Sequence, residues 1–89
     1  MKEQELEDVL VQEEVQEESK LIIYNDEVND YSSVVLLLET ICDLDHFRAQ
    51  QCTFISHNSG KCIVKKGSKS NMTDMMNKLL KKGLEASVE

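Results

Sequence analysis

An apolar run, Leu21-Ile22-Ile23-Tyr24, stops abruptly at Asn25-Asp26-Glu27, and this junction constrains the fold more than any other stretch. β-Branched and aromatic residues without a breaker favour a strand. Asn and Asp favour turns and caps because their short side chains bond to nearby main chain. The chain must therefore leave a strand, cross a polar loop at Asn25–Asp30, and enter a helix that Asn29 or Asp30 can cap. Two short polar side chains on a rigid strand end are well placed to hold a small charged group. A second polar signal, His57-Asn58-Ser59-Gly60, falls where a later helix closes. The rest of the chain reads as a scaffold that brings the two signals together.

Periodicity supplies that scaffold. A strand is expected over Lys20–Tyr24. The spacing of Val34, Leu37, Leu38 and Ile41 predicts a helix from Tyr31 to Cys42, and Val35 and Leu36 widen its apolar face to more than one side. Asp45 can cap a second helix over His46–His57, which Gly60 would terminate in a left-handed conformation. One face of this helix carries Ala49, Cys52, Thr53 and Ser56, small and soft where a core helix would carry Leu or Ile. That face suits the wall of a pocket or a close helix–sheet contact. Phe54 and Ile55 are expected to reach the core from another side. A second strand is expected over Lys61–Lys66, with Cys62 and Val64 alternating against Lys61, Ile63 and Lys65. Met72, Met75, Met76, Leu79 and Leu80 define a third helix over Asn71–Lys82, ended by Gly83. Leu84–Glu89 alternates as a third strand. The order β-α-α-β-α-β predicts a two-layer α+β domain, a three-stranded antiparallel sheet with three helices on one face.

Charge divides the chain. Residues 1–19 hold eight acids and one Lys, which accounts for the whole net charge of −7. With no sustained apolar stripe, they are expected to form a solvated, disordered N-terminal extension, open to a partner that threads it. Residues 20–89, the expected domain, are balanced, which gives no basic surface for nucleic acid. Lys61, Lys65, Lys66 and Lys69 cluster without interleaved aromatics and read as a solvated face. The three Cys lack paired spacing, no secretory leader precedes them, and no apolar run reaches membrane-spanning length. Free thiols in a reducing cytoplasm are the expectation, with no membrane partner.

Several chemistries are weak on these residues. Cys42, His46 and Cys52 lack the Cys-x-x-Cys spacing of structural zinc, and no metal or cofactor is expected. Cys52 and His57 stand about 140° apart on a helix and lack an oxyanion-type Gly cluster, so an enzyme is not expected. Gly60 and Gly67 make no phosphate loop, and the Met stripe reads as core filling rather than a promiscuous groove. Asn25, Asp26 and His57 are more informative together. Asp26 offers charge, Asn25 an amide oxygen and a neutral His57 one more acceptor, a set suited to an ammonium group. An apolar cavity alongside would read the side chain attached to that ammonium.

On these residues the chain resembles the ClpS-type adaptors, which deliver N-degron proteins to a bacterial Clp unfoldase–protease. The resemblance covers Leu21 to Glu89. It rests on the strand into Asn25-Asp26-Glu27, on Val34-Val35-Leu36-Leu37-Leu38, on His57-x-x-Gly60-Lys61 and on Lys82-Gly83-Leu84-Glu85. It implies that Asn25, Asp26 and His57 bind the free α-amino group of a substrate, whose first side chain (Phe, Leu, Tyr or Trp) enters a pocket. By position the lining would include Val34, Thr53, Ser56 and Ala86, with Ile22 added from the residue pattern, and Asn29 and Tyr31 at the mouth. Many members have Thr at the position of Asn29, often Pro at that of Asp30, and commonly Met at those of Tyr31 and Thr53. Val is common at that of Ser56, and Leu near Ala86. This pocket is therefore expected to be more polar and differently shaped. The resemblance implies a monomeric, non-enzymatic adaptor whose partners are N-degron proteins and a ClpA- or ClpC-like AAA+ unfoldase. The alternative is a regulator that docks on the unfoldase without reading N-degrons.

Overall fold

The computed structural model describes residues 18–89. The expected acidic extension lies almost wholly outside the described residues. The elements are β1 (Ser19–Tyr24), α1 (Tyr31–Cys42), α2 (His46–Ser59), β2 (Lys61–Gly67), α3 (Lys69–Lys81) and β3 (Ala86–Val88). The sheet is antiparallel in the order β2-β1-β3, so the strand that carries the organising junction lies in the middle.

Strand alternation decides which side chains face the helices. Leu21 and Ile23 are fully buried and join Val34, Val35, Leu38, Ala49, Met72 and Leu79 in one aliphatic core. Ile23 pairs with Cys62 on β2 and Ala86 on β3, which brings these small side chains to the same face. Ile22 takes the opposite face. There it pairs with Ile63 and Ser87, while the Tyr24 hydroxyl meets Ser87 Oγ at 2.7 Å.

Each helix begins on a side-chain cap that satisfies an orphan amide. Asp30 accepts from the Ser33 amide at 2.8 Å, Asp45 from Arg48 at 2.7 Å and Ser68 from Asn71 at 3.1 Å. Gly60 ends α2 at φ 96°, with its amide bonded to the Ser56 carbonyl. Gly83 follows α3 at φ 83°, and Leu84 and Gly83 donate back to Leu79 and Leu80 in a Schellman arrangement. This turn uses Leu84, buried at 1% exposure, as a plug and delays β3 to Ala86.

Three sequence expectations need correction. Leu36 is 59% exposed, so α1 has an open face, and its buried stripe is Val34, Val35, Leu38 and Cys42. Phe54 and Ile55 are exposed at 60% and 43% and do not enter the core. Lys65 does not continue the alternation of β2. A bulge shifts the register between Leu21 and Ile22, so Leu21 pairs with Lys65 while Ile22 pairs with Ile63. The extra residue turns Lys65 towards the helices, where its ammonium bonds to the Cys42 carbonyl at the end of α1 at 3.0 Å.

Candidate functional site

Antiparallel pairing of β1 with β2 sets Tyr24 opposite Lys61. One step further, the Asn25 amide donates to the Gly60 carbonyl at 2.8 Å. The end of β1 and the end of α2 are thereby fixed side by side. Between them, closed by the start of α1, lies a hollow of about 340 Å³ lined by residues 24–27, 29–31, 34, 53, 56 and 57. That volume lies at the small end of ligand pockets and suits a single side chain.

Asp26 is held ready. Its Oδ1 accepts from the amides of Val28 at 2.7 Å and Asn29 at 3.2 Å, and its Oδ2 accepts from the Asn29 side-chain amide. The Asn29 amide also reaches the Gly83 carbonyl at 3.3 Å, which ties the loop to the turn after α3. Partial burial pushes the Asp26 carboxyl upwards. The hydrogen bonds from the Asn29 side chain and from the Val28 and Asn29 amides outweigh it and hold the group below its ordinary value of 3.8. A carboxylate offers about four lone-pair positions, and these bonds use three. One remains for an incoming donor.

The other polar groups line the same hollow. Asn25 and His57 are exposed, and among the described residues neither side chain has a hydrogen-bond partner. The Tyr31 ring stands edge-on to His57 with centroids 6.3 Å apart and planes at 84°, and the Tyr31 hydroxyl donates to the Gln50 carbonyl at 3.3 Å. Glu27 and Asp30 add carboxylates to the lining, and no Lys or Arg lines it among the described residues. Hydrogen bonds from Ser33 and Ser32 hold the Asp30 carboxyl below the usual carboxylate range. The buried part of the lining is Val34, Thr53 and Ser56. An anionic mouth thus opens beside a buried wall, an arrangement that favours a cation carrying a side chain of moderate size.

Of the residues singled out from the sequence, Asn25, Asp26, Asn29, Tyr31, Val34, Thr53, Ser56 and His57 line this hollow. Ile22 does not. The pleat sends it to the other face of the sheet, into a groove with Ile55 and Ile63. Ala86 is also absent from the lining, because it packs into the core beside Ile23. Tyr24, Glu27 and Asp30 were not anticipated as lining. Glu27 adjoins Asp26, and its carboxylate was the available signal. The sequence also gave no sign that Asn29 orients Asp26, since that depends on the loop doubling back.

The thiols lie elsewhere. Cys42, Cys52 and Cys62 are free and buried. Burial pushes the Cys42 thiol up to about 11 and that of Cys62 up to about 12. Cys52 faces the core while His57 is exposed, so the two do not form a nucleophile–base pair. His46 pairs with Glu39 at 3.1 Å on the surface, away from the buried Cys42 and Cys52. No described helix is long and apolar enough to cross a membrane.

A structure of Agrobacterium tumefaciens ClpS2 bound to L-phenylalaninamide has the same fold, with a TM-score of 0.78 at 14% identity over 83% of this chain and 96% of that one. No curated protein sequence matches the chain. The family model for the ATP-dependent Clp protease adaptor protein ClpS matches residues 14–87. This match spans both the Asn25–Asp26 junction and the His57–Gly60 segment, and the chain belongs to the ClpS family of adaptors.

Proposed function

We propose that the hollow binds the free α-amino group and first side chain of proteins with a bulky apolar N-terminal residue, and that the chain hands those proteins to a Clp AAA+ unfoldase. The observation that carries this reading is the Asp26 carboxylate, oriented by three hydrogen bonds with one acceptor position left, in a hollow lined by no Lys or Arg among the described residues. Asn25 and His57 supply the further acceptors that an ammonium group requires. Val34, Thr53 and Ser56 form the buried wall that the side chain meets. The ligand of the related ClpS2, L-phenylalaninamide, pairs an ammonium group with a benzyl side chain, the combination these residues suit.

Magnitudes fit an adaptor that must release its cargo. A charge-assisted ammonium–carboxylate bond contributes about 1.5–3 kcal/mol. Burying a Phe or Leu side chain contributes about 1.5–3 kcal/mol. Set against the entropy lost on association, these contributions give a Kd of micromolar order or weaker. The chain acts as a monomer in the cytoplasm with a ClpA- or ClpC-like unfoldase. The test is degradation of a Phe-initiated reporter by such an unfoldase and its protease. Added wild-type chain should accelerate it, and Asp26→Ala should not. Equal acceleration by the folded variant would contradict the reading.

A further inference from the structure

Thr53 and Ser56 are each only 3% exposed, and both line the hollow. Each hydroxyl has already committed its proton to its own helix. Thr53 Oγ1 donates to the Ala49 carbonyl at 2.7 Å, and Ser56 Oγ donates to the Thr53 carbonyl at 3.0 Å. A hydroxyl has one donor and two acceptor lone pairs. The hydroxyl oxygens of these two lining residues can therefore accept and cannot donate without breaking a main-chain bond. Val34, the third buried residue of the lining, offers neither.

Resting on the reading of the hollow as an N-terminal residue site, we propose that Thr53 and Ser56 make it selective for a first side chain that ends in a hydrogen-bond donor, Tyr above Phe and Leu. A phenol hydroxyl reaching this wall donates to Thr53 Oγ1 or Ser56 Oγ and replaces the water those oxygens lose on binding. A benzyl or isobutyl group covers the same lone pairs and returns nothing. A side chain tipped only by acceptors meets two more acceptors and is refused. The discrimination is moderate, because the wall oxygens keep their main-chain bonds whichever ligand enters. One net hydrogen bond corresponds to about a 3- to 10-fold difference in Kd.

The test is calorimetric titration of the full chain with free-amine peptides that differ only at residue one: Tyr, Phe and 4-fluoro-Phe. The last matches the phenol closely in size and has no proton to give. Tyr is expected to bind about 3- to 10-fold tighter than both. In Thr53→Val combined with Ser56→Ala, that advantage should disappear, chiefly through weaker Tyr binding. Phe or 4-fluoro-Phe binding as tightly as Tyr would overturn the inference, as would a Tyr preference that survives in the double variant. Failure of every free-amine peptide to bind would overturn the underlying reading as well, so the two failures differ.

Discussion

The main-chain amide of Asn25 donates to the carbonyl of Gly60 at 2.8 Å, across 35 positions of sequence. This bond extends the β1–β2 pairing by one step and helps bring Asp26 and His57 to one hollow. Gly60 makes it by adopting φ 96°, a conformation that costs an L side chain about 1–2 kcal/mol. Gly60→Ala is expected to lower stability by about that amount, read as a lower urea midpoint at unchanged slope. Peptide binding should also weaken, because His57 lies in the turn that Gly60 closes. A variant as stable as wild type would show that the left-handed terminator is dispensable.

Asn29 orients Asp26 and holds its proton affinity down. The Asp26 carboxyl titrates below its ordinary value, so its contribution to stability is present above about pH 3.8 and is lost as pH falls through the native value. Asn29→Ala removes the side-chain hydrogen bond and should move the native value upwards. Acid loss of peptide binding should then begin at higher pH than in wild type. Carboxyl carbon shifts followed by NMR against pH would measure this directly.

Tyr31 is expected to act through His57. Tyr31→Ala removes the ring that stands edge-on to the imidazole and should weaken binding by about 2- to 12-fold, the worth of one aromatic pair. Tyr31→Phe keeps the ring and loses only the 3.3 Å bond to the Gln50 carbonyl, so binding should change by less than about twofold. Equal losses in the two variants would assign the effect to the hydroxyl instead.

The three thiols should be silent in the native state. All are buried, and desolvation keeps Cys42 and Cys62 protonated at neutral pH. Labelling by a maleimide should be slow and should rise with urea along the unfolding curve. Fast labelling of one thiol in the folded chain would contradict this burial and revive a thiol-based activity.

Local chemistry was legible in the sequence. The caps Asp30 and Asp45, the terminators Gly60 and Gly83, and the small face of α2 each follow from a residue type with one dominant use. The amine-site candidates were visible for the same reason, as polar side chains at the ends of regular elements. Features that depend on pairing were hidden. Ile22 has the composition of a pocket residue, yet its place in the pleat puts it on the far face. Lys65 faces the helices because of a bulge that no alternation rule foresees. Leu36 and Phe54 look like core, but a domain this small lacks a second layer to cover them.

In the proposed function, Asp26 holds a substrate's free α-amino group. The measurement that tests it most directly is a paired titration with one Phe-initiated peptide, free and N-acetylated. The free amine is expected to bind with a Kd of micromolar order or weaker. A loss of at least about tenfold is expected on acetylation, with a similar loss for the free peptide in folded Asp26→Ala. Equal affinity for the two peptides would contradict it.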